Sequence, residues 1–249
     1  MIYNLRKIQG LIIATFILLM STPIANAQTN NGLLLWWKLD NNAGASATDS
    51  SGNGYTGTIT NAPTWVTGRY GYALKFVAAS DQYVVSPTLG TPPNSITLAA
   101  WIYSGAAGGV VFAELGQATI NSGWHDSQIE VEASGTVKTC IWTGAESCVS
   151  ATTNLGFNQW HYVALTYNVT THLLSGYYDG KLGASATLTK SYNTPTFYAI
   201  GPIDSTNGGN GVYFTGIIDE VRIYNRALSP GEIYEVFENG APDYMGSEF

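Results

Sequence analysis

Residues 213–232, YFTGIIDEVRIYNRALSPGE, hold a strand, an acid pair, a turn and a helix start in one run. Phe214, Ile217, Val221 and Ile223 supply the apolar positions of a strand, and Gly216 permits a bulge or a close backbone approach. Asp219 and Glu220 interrupt what would otherwise read as core strand. A buried carboxylate there needs a cation, a donor network or solvent, because burying it unpaired is too costly. Downstream, Ser229-Pro230-Gly231-Glu232 is a capping box with proline at the first helical position. It predicts one short helix through about Glu238, ended by Asn239-Gly240.

Strand signals recur upstream, at 33–39, 73–76, 83–86, 96–103, 110–115, 128–133, 137–142, 160–168, 173–178 and 196–201, with a last one at 213–224. Gly, Asn, Asp and Pro turns separate them. Tyr178-Asp179-Gly180-Lys181 predicts a two-residue hairpin, because Asp-Gly accepts the positive φ angles of that turn. Helical periodicity is almost absent before Ser229, no 20- to 50-residue repeat is visible, and no linker divides the chain. The fold expected is all-β: a two-sheet antiparallel sandwich with jelly-roll connections and one short C-terminal helix. Neighbours on a strand face opposite ways, so one of Trp36 and Trp37 enters the core and the other the surface. Trp101, Trp160 and Phe76 read as packing residues.

Six pieces occur in order: WWKLD at 36–40, DSSGNGYTGTI at 49–59, GRYGYALKF at 68–76, SITLAAWIY at 95–103, QWHYVALTY with YYDGKL at 159–182, and the closing segment. Together they resemble laminin G-like, concanavalin A-like jelly-roll domains over nearly all of residues 32–238. That resemblance implies the fold. It implies no single activity, since this fold hosts lectins, adhesion modules and glycan-cleaving enzymes alike.

Arg6 and Lys7, an apolar run at 8–20 and Ala25-Asn26-Ala27 read as a secretion signal over 1–27, with the laminin G-like domain over 28–240. The apolar run is short for a membrane span. A tail occupies 241–249, and its last four residues read like a translated pair of adjacent cloning sites. The mature chain is therefore expected to be secreted or held in the cell envelope, with no membrane span. Charged residues make up only 11% of the chain, and the net charge is −7. Loss of Arg6 and Lys7 leaves 8 basic against 17 acidic residues, a charge of −9. An acidic surface repels nucleic acid and anionic membranes, while it tolerates neutral glycans and attracts divalent cations.

The two cysteines lie in CIWTGAESC, residues 140–148. A three-residue turn at Thr143-Gly144-Ala145 pairs Trp142 with Glu146, Ile141 with Ser147 and Cys140 with Cys148. Directly opposed positions bring the Cβ atoms close enough to bridge, and export supplies the oxidising compartment, so a disulfide is predicted.

Asp49-Ser50-Ser51-Gly52-Asn53-Gly54 is a polar turn rich in oxygen ligands. Calcium takes six to eight oxygens from carboxylates, amides and carbonyls. In laminin G-like jelly rolls the segments matching this turn and the closing strand often meet around one calcium. The resemblance therefore implies Asp49, Asn53 and Asp219 as ligands of a structural calcium. The competing reading is an Asx-turn capped by its own side chains, with Asp219 bonded to backbone amides.

Glu130 and Glu132 stand two residues apart and so share one strand face. Retaining glycosidases need two carboxyls about 5 Å apart. Jelly-roll hydrolases of the laminarinase type carry a third acid where this chain has Gln128, and that departure counts against hydrolysis. His161 resembles the family's Trp-His packing pair, His172 lies in a turn, and no metalloprotease, nucleophile-elbow or phosphate-loop motif occurs.

Sugar sites stack aromatic faces on pyranose C–H surfaces and read hydroxyls with amides and carboxylates. The loop candidates are Trp124, His125 and Asp126, then Trp142 beside the hairpin tip, and Asp204, Asn207, Asn210 and Tyr213. The leading expectation is a secreted non-catalytic module that recognises a glycan or an extracellular surface protein. The alternatives are a jelly-roll glycoside hydrolase using Glu130 and Glu132, and a structural subunit that self-associates through sheet edges.

Overall fold

A computed structural model of the chain describes residues 30–89, 94–105, 108–119, 124–152, 154–192, 196–202 and 213–240. The expected leader at 1–27, the loop residues Asp204, Asn207 and Asn210, and the tail at 241–249 lie outside the described residues.

The strands in chain order are β1 (Leu33–Trp37), β2 (Ser46–Ala47), β3 (Gly57–Thr60), β4 (Thr64–Thr67), β5 (Tyr72–Phe76), β6 (Tyr83–Val85), β7 (Ile96–Ser104) and β8 (Gly109–Leu115). They continue as β9 (His125–Val131), β10 (Val137–Trp142), β11 (Glu146–Ser150), β12 (Trp160–Asn168), β13 (Leu173–Tyr178), β14 (Lys181–Thr187), β15 (Phe197–Ile200) and β16 (Gly216–Tyr224). One helix, α1 (Pro230–Asn239), follows. One sheet runs β14-β13-β12-β7-β16-β5-β4, with β1 also paired to β16; the other runs β11-β10-β9-β8-β15-β6-β3-β2. The non-consecutive neighbours are the crossovers of a jelly roll, and every strand pair is antiparallel. Among the described residues no helix is long and apolar enough to cross a membrane.

Alternation along the strands builds two layers of packing. Leu98, Ala100 and Ile102 join Val163, Leu165, Val221 and Ile223 in the main core, where Phe112, Ile129, Val137, Tyr198 and Ile200 of the other sheet meet them. The intervening Ala99 and Trp101 face outward with Tyr162 and Tyr224, and α1 covers them with Ile233 and Val236. Trp101 stacks on Phe237 at 5.4 Å, an aromatic pair that contributes about 1 kcal/mol beyond its buried area. Trp37 is 1% exposed in the core, while Trp36 is half-buried beside β16, as neighbours on one strand must divide.

The helix forms where its cap is written. The Ser229 side chain accepts from the Glu232 amide, and the Glu232 carboxylate accepts from the Ser229 amide. The β13–β14 turn places Asp179 at φ 49° and Gly180 at φ 74°, the two positive angles that Asp-Gly was expected to adopt. Gly216 is a close approach: a Cβ there would lie 2.4 Å from the Tyr103 carbonyl oxygen. The bulge of β16 falls instead at the acid pair, where the register with β7 shifts between Asp219 and Arg222 and Glu220 takes φ 53°. Strands β2, β3 and β4 carry no strong signal of their own; they are two to four residues long and lie toward sheet edges.

Candidate functional site

The β10–β11 hairpin forms in the expected register, with Cys140 opposite Cys148 and Trp142 opposite Glu146, and the disulfide is made. Beside its turn Trp142 is 36% exposed. Its backbone is clamped on both sides. The Trp142 amide donates to Asp126 Oδ2 at 2.9 Å, and the Trp142 carbonyl accepts from the Ser191 amide at 2.7 Å.

Both clamps hang from a buried charge cluster between the sheets. Glu114, 2% exposed, accepts from Lys190 Nζ at 2.6 Å and from Gln128 Nε2 at 2.7 Å. The Tyr198 hydroxyl reaches its other oxygen at 3.4 Å. Asp126 is paired across the strands with Glu114 and is itself 3% exposed. Asp126 Oδ1 and Gln128 Oε1 are buried without a hydrogen-bond partner. Burial, then the Glu114 charge, push the Asp126 carboxyl up to about 7, although Lys190 opposes this. Two acids thus share one buried cation, and a proton on Asp126 leaves the cluster neutral. Gln128, which occupies the place of a hydrolase acid, is a partner of Glu114 in this cluster. The register of β8 against β9 shifts around Phe112, so Gln128 and Ile129 are both fully buried.

The other loop candidates divide. Trp124 is half-buried and packs over Gly116, where a Cβ would come within 2.5 Å of the Trp124 indole nitrogen. His125 is half-buried opposite Leu115 at one end of β8. Tyr213 bridges to Val110 near the other end of that strand, roughly 17 Å away at 3.3 Å per residue. The structure therefore joins Asp126 to Trp142, keeps Trp124 and His125 beside them in sequence, and sets Tyr213 apart.

Glu130 is 8% exposed and bound to Lys138 at 2.7 Å, its cross-strand partner. Glu132 lies past the end of β9, exposed, with its carboxylate near the Ser134 hydroxyl at 3.5 Å. His161 Nδ1 is 2.8 Å from Asp179 Oδ2, within hydrogen-bond distance, and Asp179 also accepts from the Tyr162 amide.

The early polar loop closes on itself and on β1. Asp49 Oδ1 accepts from the amides of Trp36 and Ser51, and Oδ2 from the Ser51 hydroxyl and the Tyr55 amide. Burial alone would raise its carboxyl, but these hydrogen bonds outweigh it and hold Asp49 below the usual carboxylate range. Asn53 Nδ2 donates to the carbonyls of Leu33 and Leu34. Asp219 has a different set of neighbours. It accepts from the amides of Tyr70 and Glu220, and burial pushes its carboxyl up to about 8, with Glu220 and Asp40 adding to the rise. Three oxygens, Asp219 Oδ2 and the carbonyls of Tyr70 and Tyr72, lie within 2.9 Å of the point that a Cβ on Gly68 would occupy. Asp40 accepts from the Tyr72 amide in the same turn. Among the described residues, the one trio of His, Cys, Asp or Glu ligand atoms within 4.8 Å of one another is Cys140, Glu146 and Cys148, whose thiols are consumed by the disulfide.

A family profile for the concanavalin A-like lectin/glucanases superfamily matches residues 78–234. The chain belongs to this superfamily. Solved structures with the same fold include domain 4 of AbnA, an extracellular GH43 arabinanase from Geobacillus stearothermophilus solved with arabinotriose. That match has a TM-score of 0.57 at 18% identity and covers 82% of this chain and 97% of that one. The binding domain of Paraclostridial Mosquitocidal Protein 1 matches with a TM-score of 0.63 at 14% identity, over 88% of this chain and 54% of that one. The binding domain of botulinum neurotoxin serotype D matches with a TM-score of 0.61 at 18% identity, over 84% and 52%. The chain thus spans about half the length of the two toxin domains. No curated protein matches it.

Tyr192, Glu114 and Lys190 were not among the residues singled out from sequence. One signal was available: Glu114 is the single charge in the otherwise apolar strand GVVFAEL, which is fully buried.

Proposed function

We propose that this chain is a secreted, non-catalytic module that binds a neutral glycan and is stabilised by one calcium ion. The observation that carries the reading is Trp142: a tryptophan left 36% exposed on a backbone clamped from both sides. A partly exposed indole on an ordered backbone suits the C–H face of a sugar ring. Glu130, the first acid of the suggested hydrolytic pair, is committed to Lys138. The arabinotriose bound to the arabinanase domain of the same fold supports a glycan as ligand. The disulfide supports an oxidising compartment.

For calcium, the oxygens around Asp219 fit better than the Asp49 loop. Asp49 and Asn53 are spent on amides and carbonyls, whereas Asp219 is a buried carboxylate facing carbonyls and a second acid, Asp40. Asp219, Asp40 and the carbonyls of Tyr70 and Tyr72 would hold the ion, which would offset the charge of the two carboxylates.

A glycan array probed with the full chain, with calcium and with chelator, tests the reading. Binding to at least one neutral glycan is expected, with a higher melting temperature in calcium that Asp219→Asn abolishes. A chain that binds no glycan at millimolar concentration ends the glycan proposal; equal melting temperatures with and without calcium end the calcium proposal.

A further inference from the structure

We propose that the Cys140–Cys148 disulfide is a redox latch: a dithiol opens it in the folded protein and frees the hairpin tip beside Trp142. The latch goes beyond the glycan reading and does not depend on it.

β11 is the last strand of its sheet and pairs with β10 alone. No residue from Trp142 to Ser150 is buried. The anchors lie at the base of the hairpin, where Val149 packs against the main core and the Ala151 amide donates to the Val137 carbonyl at 2.8 Å. The tip itself is held by its ladder with β10, by contacts inside the turn and by the disulfide. Inside the turn the Thr143 amide donates to the Ala145 carbonyl at 2.9 Å, and the Thr143 and Ser147 hydroxyls are 2.8 Å apart. A segment with no buried side chain opens at low free energy once its cross-link is cut.

The two sulfurs differ in access. Cys148 is exposed, whereas Cys140 is 0% exposed. An incoming thiolate therefore attacks Cys148 Sγ. A mixed disulfide forms there, the bond between the two protein sulfurs breaks, and its electron pair leaves on Cys140, which takes a proton from solvent. The second thiol of the reagent, as thiolate, attacks the reagent's own sulfur in the mixed disulfide and releases Cys148, which is protonated in turn. The dithiol loses two electrons and becomes a disulfide, and the protein gains two thiols.

Exposed disulfides are the labile ones. The surroundings tune this one. A carboxylate oxygen of Glu146 lies within 4.8 Å of both sulfurs and repels the incoming thiolate. Lys138 Nζ, 3.8 Å from the Glu146 carboxylate and 2.7 Å from that of Glu130, offsets part of this charge.

The test incubates the full chain with dithiothreitol at about pH 8, where the reagent supplies thiolate, without denaturant. Free thiols are trapped with N-ethylmaleimide and counted by mass spectrometry. Both cysteines should be labelled, at a rate roughly tenfold or more above the global unfolding rate in the same buffer. Glu146→Gln removes the repelling charge and should speed reduction by about threefold, beyond any change in its own unfolding rate. Hydrogen exchange should show the amides of residues 143–148 losing protection on reduction while those of β7 and β12 keep theirs. Reduction no faster than global unfolding, with Glu146→Gln altering it only as it alters unfolding, overturns the latch. Unchanged protection at 143–148 after reduction overturns it as well. Protection lost across β7 and β12 does the same, since the disulfide would then staple the whole fold and not the tip.

Discussion

The Trp36 indole donates to Glu220 Oε2 at 2.7 Å, joining residues 184 apart in sequence. Arg222 stands over the same indole, its guanidinium carbon 4.4 Å from the ring centroid, and pairs with the same carboxylate oxygen at 2.8 Å. The first strand is thereby tied to the bulge in the last. Trp36→Phe keeps a ring for Arg222 but withdraws the donor from a carboxylate that is 0% exposed. Leaving that oxygen short of a partner should cost about 1–3 kcal/mol. Urea unfolding measures it, and a midpoint unchanged from the parent would mean that the hydrogen bond contributes nothing.

The disulfide closes a short loop, with Cys140 and Cys148 separated by 8 residues. Loop-closure entropy for that length gives a stabilisation of about 2.5 kcal/mol. The double variant Cys140→Ala/Cys148→Ala should lose roughly that amount in denaturant unfolding. Because Trp142 sits beside the turn of this hairpin, the same variant should also bind glycan more weakly than the parent at a temperature where both are folded.

Asp126 gives stability a pH dependence of known sign. Its folded carboxyl ionises near 7, well above its value in an unfolded chain, so the folded state holds the proton more tightly. That contribution is complete below about pH 4 and is lost as pH rises through about 7. Asp126→Asn keeps an acceptor for the Trp142 amide and cannot ionise. It should match the parent near pH 4 and exceed it at pH 8 by on the order of 1–3 kcal/mol. Parallel stability curves for the two proteins between pH 4 and 8 would show that Asp126 stays charged when folded.

Glu232 behaves in the opposite sense. Its two oxygens take a fork of hydrogen bonds from Arg226 at 3.0 and 2.7 Å and also cap the helix. The Arg226 hydrogen bonds, foremost, hold its carboxyl down at about 2. Its contribution is therefore present above about pH 4.5 and lost as pH falls through about 2. Glu232→Gln should lower stability by about 1 kcal/mol at pH 7 and make little difference near pH 2. Ser229→Ala, which removes the other half of the cap, should cost about 1 kcal/mol at either pH.

Much of the framework is legible in the residues because it depends on short-range geometry. The apolar run SITLAAWIY forecasts strand β7, and Trp101 within it reads as a packing residue. Asp179-Gly180 and Ser229-Pro230-Gly231-Glu232 forecast a turn and a helix start through their own backbone preferences. The spacing of Cys140 and Cys148 around a three-residue turn forecasts a cross-strand pair. The candidate site was less legible. Asp126 looks like an exposed loop acid in SGWHDS, yet it is buried opposite Glu114. Ser191 sits in a bland polar segment, and its amide reaches the Trp142 carbonyl on a strand some fifty residues earlier.

The residues alone determined the class of fold, most of the strands, the hairpin that carries the disulfide and the capped helix. Each of these rests on side-chain period, turn angles or capping atoms within a few positions. Only the packed structure decided which acids are paired. Glu114 meets Lys190 across 76 residues, and Asp219 lies against the Gly68 turn. The charge state of a carboxylate depends on what surrounds it in space and on how much water it has lost. Neither is encoded near it in the chain.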